Sequence, residues 1–171
     1  ILPAKALEWL KSFGITNEEI NKYKIGWSNT YNRLIFPAFS DTGELLVWQG
    51  RYFPSIGGMD TNRSKYFSQG NMTDTLAIFG HEDKNNKSIC VVEDFISTIK
   101  IARVNPSLCL WGSELSIQRL RRLAVFFDRL IIWLDKDKTA YSARCEIKAR
   151  PYFSEITGIY TENDPKCYTT E

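Results

Sequence analysis

Two carboxylates directly follow an apolar run near the C-terminal end of the chain. Residues Ile131 to Leu134 are all apolar, and Asp135 and Asp137 come next. An apolar run of this length predicts a strand that is buried on both faces. If the backbone stays extended, residues two apart project to the same side, so the two carboxylates converge at the strand's carboxyl end. Two acids held close together repel each other unless a cation lies between them, and their oxygens suit Mg²⁺ or Mn²⁺.

A second apolar run ends in the same way. Residues Ile89 to Val92 lead into Glu93 and Asp94, and a further acid, Asp164, lies closer to the C-terminus. Two buried strands that end in acids at one sheet edge indicate a metal site. The alternative is that these acids cap the helices that follow them. Capping accounts well for Asp94 but poorly for a pair of acids, since one cap is enough.

Strands and helices alternate through the second half of the chain. This alternation predicts an α/β fold, in which a parallel sheet is covered by helices on both faces. Ligands bind such sheets at the carboxyl ends of the strands, where both acid pairs fall. The predicted strands are 89–92, 107–111, 130–134 and 155–160, and the predicted helices are 95–104, 115–124 and 141–149.

The first half of the chain predicts a smaller α+β unit. Apolar residues at helical spacing indicate a helix over 4–13, which Gly14 ends, and Thr16 with Glu19 forms a capping box for a second short helix. A hairpin over 33–39 and 45–50 follows, with its turn at 41–43, and the Gly- and Ser-rich stretch 54–70 is predicted as a loop. We expect two domains, 1–82 and 83–171.

Composition narrows the protein class without indicating an activity. The formal net charge of +2 does not by itself indicate a nucleic-acid partner, and the four cysteines lack the C-x-x-C spacing of a zinc ribbon. We find no signal peptide and no run long enough to span a bilayer, so we expect a cytoplasmic protein with no membrane partner. Because the chain starts without Met and stops abruptly at residue 171, we expect a piece of a longer protein.

Several motifs together resemble one enzyme family. The run ICVVED, with LDKD further on, resembles the Toprim signature of a strand ending in Glu and a later strand ending in Asp-x-Asp. The segment RLIFPAFSDTGELLVWQGRYF and the Lys65-Tyr66-Phe67 motif resemble the N-terminal subdomain of the RNA polymerase core in DnaG-type bacterial and phage DNA primases. LAIFG and Asp164-Pro165 resemble the entry to the Toprim fold and the acidic motif after its last strand. The resemblance covers nearly the whole chain.

The resemblance implies a nucleotidyltransferase with a Toprim-like parallel sheet flanked by helices. It implies metal-dependent, template-directed synthesis of short RNA primers from ribonucleoside triphosphates on single-stranded DNA, with a replicative helicase as a further partner through a missing or separate domain. The implied site residues fall into three groups: Glu93, Asp135 and Asp137 as catalytic; the same three with Asp164 as ligands of Mg²⁺ or Mn²⁺; and Arg33, Arg51 and Lys65 for nucleotide and template. Glu93 is either a metal ligand or a base that acts through water.

The chain departs from the family pattern at three places. Asp94 stands where the family usually has Gly, Ser97 stands where an Asp is common, and Lys138 to Ala140 replaces a segment that usually contains Gly. These changes leave the number of metal ions open. Asp94 either replaces the lost carboxylate or caps the helix that begins at Phe95, and we favour capping.

Two other functions remain as alternatives. Another Toprim enzyme, such as a metal-dependent nuclease, would use the same acids with water as the nucleophile. A non-catalytic module would keep the fold and bind nucleic acid or a partner protein. Under any of these functions, Trp48 is the tryptophan to test as a nucleic-acid contact. In the family, a zinc-binding domain that these 171 residues do not contain recognises the template sequence. We therefore expect this chain alone to bind template weakly and to start primers poorly.

Overall fold

The computed structural model describes residues 1–40, 42–53 and 63–169. The chain divides into two compact units, Ile1–Thr75 and Leu76–Glu171. The predicted domain boundary after residue 82 falls later than this division, because the short strand Ile78–Phe79 pairs with the sheet of the second unit. Within the described residues, no helix has the length and apolar character that crossing a bilayer requires.

The first unit begins with two short helices. The helix α1 spans Ala4–Ser12, and Gly14 follows it with a φ of 74°, a left-handed conformation that glycine adopts without strain. The helix α2 spans Asn17–Lys22. The predicted capping box is confirmed, because the Thr16 hydroxyl accepts from the Glu19 backbone N–H while the Glu19 carboxylate accepts from the Thr16 N–H.

A four-stranded antiparallel sheet completes the first unit. Its order is β1-β2-β3-β4, with β1 at Gly26–Ser28, β2 at Arg33–Phe39, β3 at Leu45–Tyr52 and β4 at Tyr66–Gln69. The predicted hairpin β2–β3 is confirmed; Asp41 of its turn lies outside the described residues. The prediction of a loop over 54–70 is wrong at its end, because β4 pairs with the edge of β3 there. All four β4 side chains are exposed, so no apolar alternation revealed this strand. Residues 54–62 lie outside the described part.

The second unit is a five-stranded sheet with helices on both faces. The strands lie in the order β5-β7-β6-β8-β9, parallel except for the antiparallel edge strand β5. The predicted α/β fold, a parallel sheet flanked by helices, is confirmed. The strands are β5 Ile78–Phe79, β6 Ser88–Val92, β7 Ser107–Cys109, β8 Arg129–Ile132 and β9 Glu155–Gly158; the helices are α3 Phe95–Ile101, α4 Ile117–Leu123 and α5 Thr139–Ala149.

Alternate side chains of the central strand β6 enter different apolar clusters. Ile89 and Val91 pack with the buried leucines of α4 and with Cys145 of α5. Cys90 and Val92 face the other way and pack with Ile101 at the end of α3. Because every side chain of β6 is buried, this strand is covered on both sides, which explains its continuous apolar sequence.

One local prediction, made for the segment after β8, is wrong. The backbone does not stay extended from Asp135 to Asp137, because a 3₁₀ helix begins at once and spans Lys136–Lys138. Asp135 is the extended residue just before this helix, and Asp137 lies inside it. The 3₁₀ turn leads directly into α5, and an acid in a first helical turn is favourable there. The two carboxylates therefore leave the backbone from different conformations.

Candidate functional site

Parallel pairing brings the acids of β6 and β8 to one edge of the sheet. Val91 pairs with Ile132, so Glu93 and Asp135 follow neighbouring strand ends. Burial, with the negative charges of Asp135, Asp137 and Asp94, outweighs the opposite effect of Lys138 and raises the pKa of Glu93 to about 7. A carboxyl group with this pKa is partly protonated at neutral pH unless a cation approaches it.

One carboxylate oxygen of Asp135 has no hydrogen-bond partner among the described residues. Burial, with the negative charges of Asp94, Asp164 and Asp137, outweighs the opposite effect of Lys166 and raises the pKa of Asp135 to about 6. Its Oδ2 lies 3.6 Å from Lys166 Nζ, whereas its Oδ1 is buried and accepts no hydrogen bond from any described residue. A buried acceptor without a donor costs free energy, and a bound ion or water is the usual remedy.

Asp137 shares an open cleft with Glu93. The cleft has a volume of about 380 Å³. Glu114, Lys138 and Arg144 also line it, so two cations face the same space as three acids. Tyr141 forms part of the wall, and its hydroxyl accepts a hydrogen bond of 2.8 Å from the Leu115 N–H. The cleft can therefore present both carboxylates and cations to a ligand that carries metal and phosphate.

The ammonium of Lys166 lies among three carboxylates. Its Nζ is 2.9 Å from Asp164 Oδ2, 3.2 Å from Asp94 Oδ2 and 3.6 Å from Asp135 Oδ2. Burial alone would lower the pKa of Lys166, but these carboxylates outweigh burial and raise it. For Asp164 the two effects are reversed: burial would raise its pKa, but the hydrogen bond from Lys166 and the positive charge of Lys166 keep this pKa below its ordinary value. Lys166 is thus charged and fully paired.

Asp94 caps the helix α3. Its Oδ1 accepts from the Ser97 N–H at 3.0 Å, and its Oδ2 accepts from the Ser97 hydroxyl at 2.8 Å and from Lys166. The favoured interpretation of this residue as a cap agrees with the geometry. Ser97, where an acid is common in the resembling family, is the partner of that cap and is fully buried.

The donor chemistry at this edge fits a hard divalent cation. In the described part of the chain, no three Asp, Glu, His or Cys side chains converge closely enough to hold an ion as they stand. Mg²⁺ does not require such a cage, because it keeps several waters and is commonly bound by one or two carboxylates together with substrate phosphates. The unpartnered Oδ1 of Asp135 and the carboxylates of Glu93 and Asp137 supply oxygen donors of this kind. Their role as ligands stays a prediction.

Arg33, predicted to bind nucleotide or template, holds the backbone of the first unit. It is 6% exposed, and its guanidinium donates to the carbonyls of Gly50, Ser64 and Lys65. Its side chain crosses directly over Gly50, where an added Cβ would lie 2.9 Å from the Arg33 Cδ. Arg33 therefore fixes the position of the segment that carries Lys65.

Arg33 and Arg51 lie on opposite faces of the first sheet. Arg33 and Trp48 both belong to the face that carries Phe67 of β4, whereas the Arg51 guanidinium lies 4.3 Å from the Trp9 ring of α1. Arg51 also donates to the Tyr66 hydroxyl at 2.7 Å. Lys65 is exposed, with its ammonium 5.5 Å from the Tyr66 ring. The three predicted cations thus do not form one group, and their contacts with nucleotide or template stay predictions.

Three aromatic rings touch one another beside Arg33. The Tyr31 ring is 5.4 Å from Trp48 and 5.9 Å from Phe67, and Trp48 is 5.5 Å from Phe67. Tyr31 and Phe67 are each 44% exposed. Both also line a pocket of about 300 Å³ with Arg33 and Arg63. We call Tyr31, Trp48 and Phe67 the aromatic trio.

Sequence reasoning missed several residues of both regions. Lys166 carried no signal in the sequence, because Asp94 and Asp135, two of the three acids around its ammonium, are far from it along the chain; Asp94 is 72 positions away. Arg144 lies three residues after Tyr141 on the same face of a helix, but neither residue was predicted to belong to the site. Tyr31 and Phe67 could not have been found from the sequence, because the pairing of β4 that brings Phe67 to Trp48 was not predicted.

The chain is similar in structure to bacterial primases. No protein-family model and no curated protein sequence matches it. The zinc-binding and RNA polymerase domains of the Aquifex aeolicus primase match with a TM-score of 0.76 at 15% identity, over 96% of this chain and 52% of that one. A DNA primase domain from Pseudomonas aeruginosa matches with a TM-score of 0.73 at 17% identity, over 96% and 67%. A DnaG primase catalytic domain bound to single-stranded DNA matches with a TM-score of 0.70 at 18% identity, over 95% and 66%.

These matches extend over both units of the chain. At identities of 15% to 18% they concern the fold, and the chain spans about half of the Aquifex structure. The resemblance inferred from the sequence motifs is confirmed at that level. The chain has the fold of the catalytic core of DnaG-type primases over nearly its whole length.

Proposed function

We propose that this chain is the catalytic core of a DNA primase. It would join ribonucleoside triphosphates into short RNA on a single-stranded DNA template, with Mg²⁺ or Mn²⁺ as cofactor. The observation that carries the proposal is the group of half-buried acids at the carboxyl ends of β6 and β8, with an unpartnered oxygen on Asp135, in a chain with a primase-core fold.

The acids of the second unit would hold the metal. The ligands would be Asp135 Oδ1, Asp137 and Glu93. These oxygens are not engaged by the Lys166 ammonium. When bound, a divalent ion lowers the pKa of the attacking 3′-hydroxyl and offsets charge on the leaving pyrophosphate.

The cations of the cleft would bind the triphosphate. Lys138 and Arg144 line the same space as Glu93 and Asp137, so they can balance the charge of phosphate oxygens next to the acids. Arg144 is exposed, and its guanidinium lies 5.7 Å from the Tyr141 ring. This ring restricts where the guanidinium can lie, which reduces the entropy lost when it binds phosphate.

The aromatic trio would bind template bases. Exposed aromatic rings beside arginines suit single-stranded nucleic acid, because bases stack on the rings and guanidinium groups pair with phosphates. One of the similar structures is a primase catalytic domain bound to single-stranded DNA, which supports this class of ligand for the present chain. A replicative helicase remains a predicted partner.

Two alternative functions use the same fold. A metal-dependent nuclease would need the same acids but would shorten the template, and a binding module would need neither metal nor nucleotide. The similarity to primase cores across both units favours primer synthesis over both alternatives.

The experiment supplies the chain with Mn²⁺, ribonucleoside triphosphates and single-stranded DNA, with and without a short annealed RNA to extend. Labelled RNA that lengthens on the template is the expected product, and the annealed RNA should raise the yield because the chain alone starts poorly. Shortened DNA would instead identify a nuclease. Binding of DNA without any RNA product or DNA cleavage would identify a non-catalytic module.

A further inference from the structure

Lys166 is half-buried and paired despite its charge. It lies in the 3₁₀ helix Pro165–Cys167, which packs against α3. Its carbonyl accepts a hydrogen bond of 2.7 Å from the ammonium of the buried Lys100. The Lys166 side chain is only 23% exposed. A lysine with a fixed backbone and a half-buried stem has its ammonium in a defined place, unlike an ordinary surface lysine.

The three carboxylates around this ammonium come from three separate segments. Asp94 begins α3, Asp135 follows β8, and Asp164 precedes the 3₁₀ helix that carries Lys166. Such a convergence of negative charge requires a cation, and here the chain provides one itself. An ammonium donates three N–H bonds and has no acceptor, so it satisfies oxygens as a small cation does.

The ammonium leaves only part of the acidic edge for an external ion. Asp94 has both oxygens in hydrogen bonds, and Asp164 accepts from Lys166 and from the Lys136 N–H. Asp135 forms an ion pair with Lys166 through its Oδ2, whereas its Oδ1 is buried and has no hydrogen-bond partner among the described residues. Beyond that oxygen, the cleft presents the carboxylates of Glu93, Asp137 and Glu114, for which no ion pair is described, and the first two follow the strand ends.

We propose that Lys166 is a resident cation that takes the place of a second divalent ion, so that the chain itself holds one Mg²⁺ or Mn²⁺ rather than two. The single ion would bind at the edge that carries Asp135, Asp137 and Glu93, held by one or two of these carboxylates with waters completing its coordination, and the Lys166 ammonium occupies the position between Asp94, Asp135 and Asp164. This inference rests on the proposed metal-dependent function and adds the number of ions and the residue that sets it.

The test counts Mn²⁺ ions on the purified chain in the absence of nucleotide, by electron paramagnetic resonance and by calorimetric titration. The wild-type chain should bind one Mn²⁺. Lys166→Asp removes the ammonium and adds a carboxylate, so it should bind two. Lys166→Met should bind its first Mn²⁺ about tenfold more tightly, because one nearby positive charge is lost. Lys166→Arg, which keeps the charge, should bind one ion with nearly unchanged affinity.

Lys87→Met is the matched control, because this exposed lysine lies just before β6, at the opposite end of the strand. It should bind Mn²⁺ like the wild-type chain. Circular dichroism and thermal unfolding of each variant identify any that fail to fold, and Lys166→Arg still tests the proposal if Lys166→Met does not fold.

The outcomes separate this inference from the proposed function. Two Mn²⁺ ions on a wild-type chain that makes RNA would overturn the role of Lys166 and leave the proposed function standing. Unchanged ion number and affinity in a folded Lys166→Asp chain would do the same. No Mn²⁺ on any variant, together with no RNA product from the wild-type chain, would overturn both.

Discussion

The two sheets of this chain carry charges of opposite sign and use them differently. In the antiparallel sheet of the first unit, Arg33 donates to three carbonyls, and Arg51 donates to the Tyr66 hydroxyl and lies against aromatic rings. In the parallel sheet of the second unit, Glu93 and Asp135 have raised pKa values, and one Asp135 oxygen accepts no hydrogen bond from the part of the chain that the structure describes. Charges that are fully paired stabilise structure, whereas charges held in unfavourable surroundings mark sites of chemistry. We therefore propose that the chemistry lies in the second unit and that Arg33 and Arg51 mainly support the fold of the first.

The largest expected effect comes from removing the acids of the second unit. Asp135→Asn and Asp137→Asn should each lower the rate of RNA synthesis at least about a thousandfold, since a lost metal ligand removes several kcal/mol of transition-state stabilisation. The rate of extension of an annealed RNA in Mn²⁺ measures this effect.

The control for these variants is Asp128→Asn. Asp128 is exposed and directly precedes β8, so the same substitution is made at the amino end of the strand that Asp135 follows. It should leave the rate within a factor of two of the wild-type chain. Equal losses in all three variants would contradict the placement of the reaction at the carboxyl ends.

The next largest expected effect is that of a substitution at Arg33 on the free energy of unfolding. Arg33→Lys keeps the positive charge but cannot donate to three carbonyls at once, so it should lower the free energy of unfolding of the first unit by about 2–3 kcal/mol. Urea unfolding followed by tryptophan fluorescence measures this change. If Arg33→Lys is as stable as the wild-type chain and binds DNA more weakly, Arg33 serves phosphate recognition and the comparison fails for the first unit.

The aromatic trio should contribute a smaller amount to DNA binding. Phe67→Ala should weaken single-stranded DNA binding about 5- to 100-fold, because stacking of one base on a ring is worth about 1–3 kcal/mol. Fluorescence anisotropy with a labelled oligonucleotide measures the affinity. Phe126→Ala, which removes an exposed ring from the second unit, is the control and should bind normally. A similar loss in both variants would show that the trio has no special role.

The smallest effect is a pH dependence of stability in the metal-free chain. The folded-state pKa of Glu93, about 7, lies above its unfolded value, so the folded chain holds more protons between roughly pH 4.5 and 7. The free energy of unfolding therefore falls as pH rises through this range. The contribution of Glu93 is on the order of 1 kcal/mol once solvent screening of a half-buried group is allowed for. Glu93→Gln should flatten the dependence, and thermal unfolding of both chains at pH 5, 6 and 7 measures the difference. An unchanged slope would show that Glu93 is not held in unfavourable surroundings.

The sequence allowed the main architecture to be predicted because its signals are local. Alternating strands and helices, a capping box at Thr16 and Glu19, and apolar runs that end in acids each depend on neighbouring residues. The pairing of β4 with β3 depends on residues far apart, and its side chains are all exposed, so no local pattern marked it. The turn at Lys136 was missed because the apolar run continues past the last residue of β8.

The site was predictable in its acids but not in its cations. Asp135 and Glu93 follow apolar strands, and parallel pairing alone brings them to one edge. Lys166 reaches Asp94 across 72 positions, which no spacing rule describes. The position of Arg33 at the start of the apolar run RLIFPAF could have indicated that its side chain is buried. A buried guanidinium requires hydrogen-bond acceptors, and the backbone carbonyls supply them here.

The most direct test of the metal centre is a crystal of the chain soaked in Mn²⁺ and measured at the manganese absorption edge. We predict one anomalous peak, bounded by the carboxylates of Glu93, Asp135 and Asp137, with the Lys166 ammonium still between Asp94 and Asp164. A peak at the position of the Lys166 ammonium, or no peak near Asp135, would contradict the account.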